Sequence, residues 1–188
     1  MTTWIVLAVI VAIAVYVISL YNRLVRQRQM VREGWSGIDV QLKRRFDLIP
    51  NLVETVKGYM THERDTLAAV TEMRAQAGNV PSGDVTARAQ AEGMLGAALG
   101  RLLAVAESYP DLKASNNFLE LQNTLEKVEH ELQMARRYYN GAVRDLNVMV
   151  ESFPSNLVAG QFGFSKEDYF EIEDASERAT PQVSFGSR

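Results

Sequence analysis

Residues 118–149 read FLELQNTLEKVEHELQMARRYYNGAVRDLNVM. Within them Phe118, Leu121, Leu125, Val128, Leu132, Ala135, Tyr139, Ala142, Leu146 and Met149 follow one another at steps of three and four without a slip. That spacing lines all ten along one stripe of an α-helix, and sustained this far it is an a/d heptad pattern. A helix from about Asp111 to Glu151 would be roughly 60 Å long. Such a rod cannot fold back into a globule and needs equally long helices beside it. The stripe suits a bundle formed within one chain. It also suits a coiled coil between chains, and the intrachain bundle is the simpler reading.

Working back toward the N-terminus, a second stripe runs through Trp35, Ile38, Leu42, Ile49, Leu52, Val56, Tyr59, Val70 and Met73 to about Ala77. Pro50 interrupts it. Proline lacks the amide donor and crowds the preceding turn, so a kink or break belongs near Leu48 and Ile49. Alternatively, Asp47 caps a fresh helix that holds Pro50 in its first turn. The cluster Gly78-Asn79-Val80-Pro81-Ser82-Gly83 ends this block. Asp84 is then the expected N-cap of a helix to about Ser108, with Ala91, Leu95, Ala98, Leu102 and Val105 on one line. Gly93, Gly96 and Gly100 stand inside that helix, where each glycine costs up to about 1 kcal/mol relative to alanine. Close approach of a neighbouring backbone would explain them. A membrane GxxxG motif would not, because Glu92, Arg101 and Glu107 surround it.

After the rod, Phe153-Pro154 forms a stop. Asn156–Gln161 is expected to make one helical turn, and Ser165-Lys-Glu-Asp168 has the form of a capping box for another. The tail from Ala179 to Arg188 reads as irregular or as a lone strand. The aromatics Phe162, Phe164, Tyr169 and Phe170 suit a seal over the bundle end better than an exposed docking surface.

At the other extreme, Met1 to Asn22 contains no charged side chain. The run Trp4–Tyr21, WIVLAVIVAIAVYVISLY, is long enough to cross most of a ~30 Å hydrocarbon layer. Lipid forces the backbone to satisfy its own polar groups, so the run is expected to be one spanning helix. No Lys or Arg precedes it, and Arg23, Arg26, Arg28 and Arg32 follow it. That flank fits an uncleaved anchor rather than a signal peptide, with the domain on the cytoplasmic side. Trp4 and Tyr21 fall where amphipathic rings prefer the headgroup level.

The chain has 188 residues, net charge −3, 47% hydrophobic residues and no cysteine. Thiolate metal sites, disulfides and cysteine nucleophiles are excluded. The charge balance argues against a nucleic-acid binder. Locally the sign reverses: residues 23–45 hold seven basic side chains against Glu33 and Asp39, a surplus of +5. Those arginines either contact anionic lipid, at about 1 kcal/mol per charge, or merely set topology on a solvated face. Lys166–Asp174 is acidic.

Catalytic signatures are missing. His62 and His130 belong to no HExxH motif; their neighbours Glu63, Glu129 and Glu131 could contribute to a metal site, but helix surfaces are full of such residues, and no metal site is expected. No GxSxG, phosphate loop or dinucleotide fingerprint occurs. Arg45 and Glu63 fall where the stripe wants apolar residues. At the edge of the seam they would mean little; buried, they would need partners and would set helix register. Tyr21-Asn22 and Val25-Arg26 are echoed by Tyr139-Asn140 and Val143-Arg144, a match short enough to arise by chance.

The segments YNRLVRQRQMVREGWSGIDVQLKRRFDLIPNLVETVKGY, SYPDLKASNNFLELQNTLEKVEHEL, ARRYYN and FPSNLVAGQFGF, behind a single N-terminal span, resemble the LemA family of bacterial membrane proteins. The resemblance covers essentially the whole chain. It implies an up-and-down antiparallel helical bundle on one anchor, without established enzymatic activity. Relatives with this domain that act in magnetosome membrane formation imply a membrane-organising role. Trp35, Asp39, Arg44, Arg45, Asp47, Pro50, Asn51, Tyr109, Asp111, Asn117, Tyr139 and Asn140 match the family pattern, and it assigns them no roles.

The expected protein is all-α: a transmembrane helix (1–22), an elongated antiparallel up-and-down bundle of three long helices (23–164), the first kinked or broken at Pro50, with short C-terminal helices, and an acidic C-terminal segment (165–188). It is expected to be a single-pass protein of the bacterial inner membrane that acts as a non-enzymatic scaffold. The expected partners are membrane lipid and a second copy or a partner membrane protein, without cofactor, metal, nucleic acid or small-molecule substrate. The alternative is a lipid-binding, membrane-shaping module acting through Arg23, Arg26, Arg28 and Arg32.

Overall fold

The computed structural model describes residues 1–60, 62–81 and 83–171. Among these residues six helices follow in order: α1 (Thr2–Lys57), α2 (Arg64–Gly78), α3 (Val85–Ala106), α4 (Pro110–Lys113), α5 (Asn116–Glu151) and α6 (Ser155–Gln161). Among the described residues there is no strand. The chain is all-α, as the periodicity of residues 118–149 requires. The tail from Ala179 and the end of the acidic segment lie outside the described residues.

At 1.5 Å per residue, the 56 residues of α1 extend about 84 Å. Its residues 2–16 are exposed, and burial begins at Val17 and Leu20. From there Leu20, Leu24, Val31, Ile38 and Leu42 face Leu132, Tyr139, Ala142, Val143 and Leu146 of α5. The two helices are antiparallel, since Gly34 lies against Tyr139 and Arg45 against Glu129. The α5 stripe is thus covered within one chain, in agreement with the intrachain reading.

Two helices alone leave too much apolar surface in water. In the half near the apolar segment the third layer comes from Val158 and Ala159 of α6, with Phe164 and Phe170 beyond it. In the distal half it comes from the α2–α3 hairpin. There Leu67, Val70, Leu95, Leu99 and Leu102 close over Ile49, Leu52 and Val56, together with Phe118 and Leu125.

Four local expectations are corrected. First, α1 runs through Pro50 to Lys57, and the stripe divides only after Gly58, so one expected helix is two. Pro50 removes the bond that the Phe46 carbonyl would accept. Arg74 of α2 replaces it, donating from Nε at 3.0 Å while its guanidinium stacks 3.7 Å above the Phe46 ring. Asp47 caps nothing and pairs with Lys43 one turn back. Tyr59, expected on the stripe, is exposed beyond the break.

Second, the long rod begins at Asn116; Asp111 lies in the separate turn α4, which Pro110 opens. Third, Ser165–Asp168 forms no helix and runs extended. Fourth, a Cβ on Gly100 would meet nothing within 4 Å, and one on Gly96 only the end of Arg45 at 3.9 Å. The close approach is at Gly34, where a Cβ would stand 2.9 Å from the Tyr139 Cα. The other boundaries agree with the sequence: Asp84 caps α3 by accepting from the Ala87 amide at 2.9 Å, and α6 is the expected turn.

Candidate functional site

Three features stand apart from ordinary helix packing. The first is the apolar N-terminal segment with its basic collar. Trp4 through Tyr16 and Ile18 present large apolar side chains that no other described residues cover. This is the one segment among the described residues long and apolar enough to cross a membrane. A segment so uncovered marks a membrane protein. It is one piece with the bundle, because Val17 and Leu20 belong to both. Just past it, Arg23, Arg26 and Arg32 are exposed, while Arg28 is half-buried with its guanidinium 4.8 Å above the Phe164 ring.

The second is a buried ion cluster at the junction of the two cores. Arg45 is 2% exposed and Glu92 of α3 3%. Nη2 of Arg45 donates to Glu92 Oε2 at 2.5 Å and to the Glu92 carbonyl at 3.2 Å. Nη1 donates to Glu129 Oε1 of α5 at 2.8 Å. Arg88 completes the set by donating to Glu92 Oε1 at 3.0 Å. Burial disfavours the charge on Arg45, but the carboxylates of Glu129 and Glu92 outweigh it and raise the guanidinium above its ordinary range. The cluster ties α1, α3 and α5 into one register. Arg45 is therefore no edge residue. Glu63, the other misfit, is half-buried and accepts from the Tyr109 hydroxyl at 3.2 Å.

The third is the extended segment after α6, residues 165–170, laid along α5. Asn147 exchanges two hydrogen bonds with the backbone of Glu167, at 2.9 and 3.0 Å. One turn pair earlier, Asn140 does the same with Phe170, at 2.9 and 3.2 Å. Between them the Tyr139 hydroxyl donates to the Asp168 carbonyl at 2.8 Å. Burial first, then the charges of Glu167 and Asp168, push the Tyr139 phenol up to about 12. Phe170 is fully buried against Trp35, and Phe164 packs on Tyr21. These two aromatics form the seal expected from the sequence; Phe162 and Tyr169 stay partly exposed.

His62 and His130 are exposed on separate elements. Among the described residues no three His, Asp or Glu side chains converge as metal ligands. Of the family-pattern residues, Trp35, Arg45, Tyr139 and Asn140 hold the interior together, while Asp39, Arg44, Asp111 and Asn117 are exposed. Glu92, Glu129, Arg74 and Asn147 escaped sequence reasoning. Glu92 alone carried a signal, as a charge flanked by Ala91 and Leu95 in the α3 stripe.

The sequence pattern of the LemA family matches residues 34–185. This chain belongs to the LemA family. Among its LemA-family relatives, Magnetosome protein MamQ 2 of Paramagnetospirillum magneticum is 26% identical, over 93% of this chain and 74% of that protein. Protein LemA of Metamycoplasma hominis is 28% identical, over 73% of this chain and 63% of its own length. Magnetosome protein MamQ of Magnetospirillum gryphiswaldense is 22% identical over 93% of this chain. The region matched by the family pattern starts at Gly34, the close helix crossing, and takes in the ion cluster and the strap on α5.

Proposed function

We propose that this chain is a membrane-anchored, non-enzymatic helical scaffold that self-associates or organises partner membrane proteins at the bilayer. The observation that carries this reading is the continuity of α1. One helix of 56 residues joins the apolar segment to the bundle without a hinge, so the bundle stands rigidly on its anchor. A stiff post suits a part that presents surfaces to partners. The arginine collar supports a cytoplasmic bundle on the inner membrane by the positive-inside rule. Relatives named for the magnetosome support a membrane-organising role. The test is cross-linking and sizing of the full chain after gentle detergent extraction. Oligomers or a stoichiometric co-purifying membrane protein are expected; a strict monomer with nothing bound would overturn the reading.

A second reading is favoured by the exposure of Arg23, Arg26 and Arg32: the collar binds anionic lipid and shapes the bilayer. Lipid analysis of the same extract tests it. Anionic lipid should be enriched, and replacing the three arginines by glutamine should abolish that enrichment.

A further inference from the structure

The bundle and the apolar segment overlap in depth. Trp4–Tyr21 spans about 27 Å as a helix. Its last turn, from Val17 to Tyr21, is where the bundle core begins. At that level stand the end of α5, the Phe153-Pro154 corner and α6. The Phe162 ring lies 4.9 Å from that of Tyr21, edge to face. Val158 and Ala159 pack into the same core as Leu20 and Leu24. The anchor's own geometry therefore holds α6 within about 6 Å of the hydrocarbon edge, four residues of helical rise.

One face of α6 is spent on the bundle: Ser155, Val158 and Ala159 are buried. Leu157 on the other face and the phenylalanines just before and just after the helix are exposed. Phe153 is 79% exposed and Leu157, four residues on, 64%. Phe162 extends the patch and is half exposed. Large apolar side chains this open, on and immediately beside one short helix, mark a contact surface. Polar residues flank them, and the exposed arginines Arg23 and Arg26 follow on α1 within the next two turns. An apolar tip backed by cations is the arrangement of an element lying in the headgroup boundary.

We propose that α6 is a second membrane contact, with Phe153, Leu157 and Phe162 immersed in the interface of the bilayer that the N-terminal segment crosses. The occupant of this face is lipid. The continuity of the patch with the span places lipid there without any further partner. The contact goes beyond the scaffold reading and rests on the anchor alone. A post held at one point can tilt and spin about its axis; a second contact beside it fixes both, so that partner-facing surfaces keep one orientation to the membrane.

The natural chain has no cysteine, so single-cysteine variants carry one label each. Full-length Phe153→Cys and Leu157→Cys are labelled with bimane in vesicles. Ile10→Cys serves as the reporter inside the span and Glu107→Cys as the reporter at the far end of the bundle. Emission at 153 and 157 is expected to fall with doxyl-labelled lipid, as at 10, and to resist aqueous iodide. Position 107 should show the reverse. Iodide quenching at 153 and 157 with position 10 in lipid would overturn the proposal and leave the anchor standing. Protection from both quenchers would mean a protein contact and overturn it equally. Iodide access at position 10 would remove the anchor and this inference together.

Discussion

Arg45→Met removes the cation that bridges α3 and α5. It deletes hydrogen bonds to Glu92 Oε2, to the Glu92 carbonyl and to Glu129 Oε1. Glu129 is partly exposed and turns to water. Glu92 is 3% exposed and cannot. Removing one member of a buried pair costs about 3–5 kcal/mol, because the other charge stays behind without compensation. Arg88 still holds Glu92 Oε1 at 3.0 Å, so the expected loss is at the low end, about 3 kcal/mol. That is on the order of a hundredfold in the folding equilibrium. The double variant Arg45→Met/Glu92→Met leaves no buried charge in this pair and should recover about 2 kcal/mol of the loss. The assay is urea unfolding of the full chain in micelles, followed by far-ultraviolet circular dichroism, with the slope compared across variants. A single-variant cost below about 1 kcal/mol, or simple additivity in the double, would refute a buried register-setting cluster.

Arg74→Met should cost about 1–3 kcal/mol by orphaning the Phe46 carbonyl. Adding Pro50→Ala should restore much of it, because the new amide at 50 can donate to that carbonyl; the same thermal or urea unfolding reads both. Gly34→Ala should destabilise by about 1–3 kcal/mol through collision with the Tyr139 backbone. Gly100→Ala, with open space around it, should stabilise by up to about 1 kcal/mol. Tyr139→Phe should cost about 1 kcal/mol at neutral pH by losing its bond to Asp168. The Tyr139 phenol ionises at about 12 in the folded protein and near 10 when unfolded, so the folded state holds the extra proton in between. Its stabilisation is complete below about pH 10 and is lost as pH rises toward 12. Unfolding measured across that window should show a shallower alkaline loss in Tyr139→Phe than in the natural chain.

The strap on α5 shows how far local pattern reaches. Tyr139 and Asn140 were recognisable as positions of the family pattern. Their partners Asp168 and Phe170 lie in a stretch whose local signal, a serine three residues ahead of an acid, reads as a helix start. The stretch is extended because α5 offers side-chain amides that pair with its backbone twice over. Those bonds join residues 20 to 30 positions apart, and no window of sequence displays them.

The sequence alone determined the helical class, the boundaries at Asp84 and Pro154, the unbroken α5 stripe and the apolar segment with its arginine flank. Each follows from neighbours within one or two turns: side-chain period, capping, proline geometry and hydropathy. Tertiary structure decided that α1 survives Pro50, that Arg45 is buried rather than solvated, that the crowded glycine is Gly34, and that α6 stands beside the last turn of the apolar segment. In each case the deciding group arrives from another helix, with Arg74 meeting Phe46, Glu92 and Glu129 meeting Arg45, Tyr139 meeting Gly34, and Phe162 meeting Tyr21. A propensity is a property of a segment, while a satisfied carbonyl, a compensated charge or a position beside another helix belongs to the packed assembly.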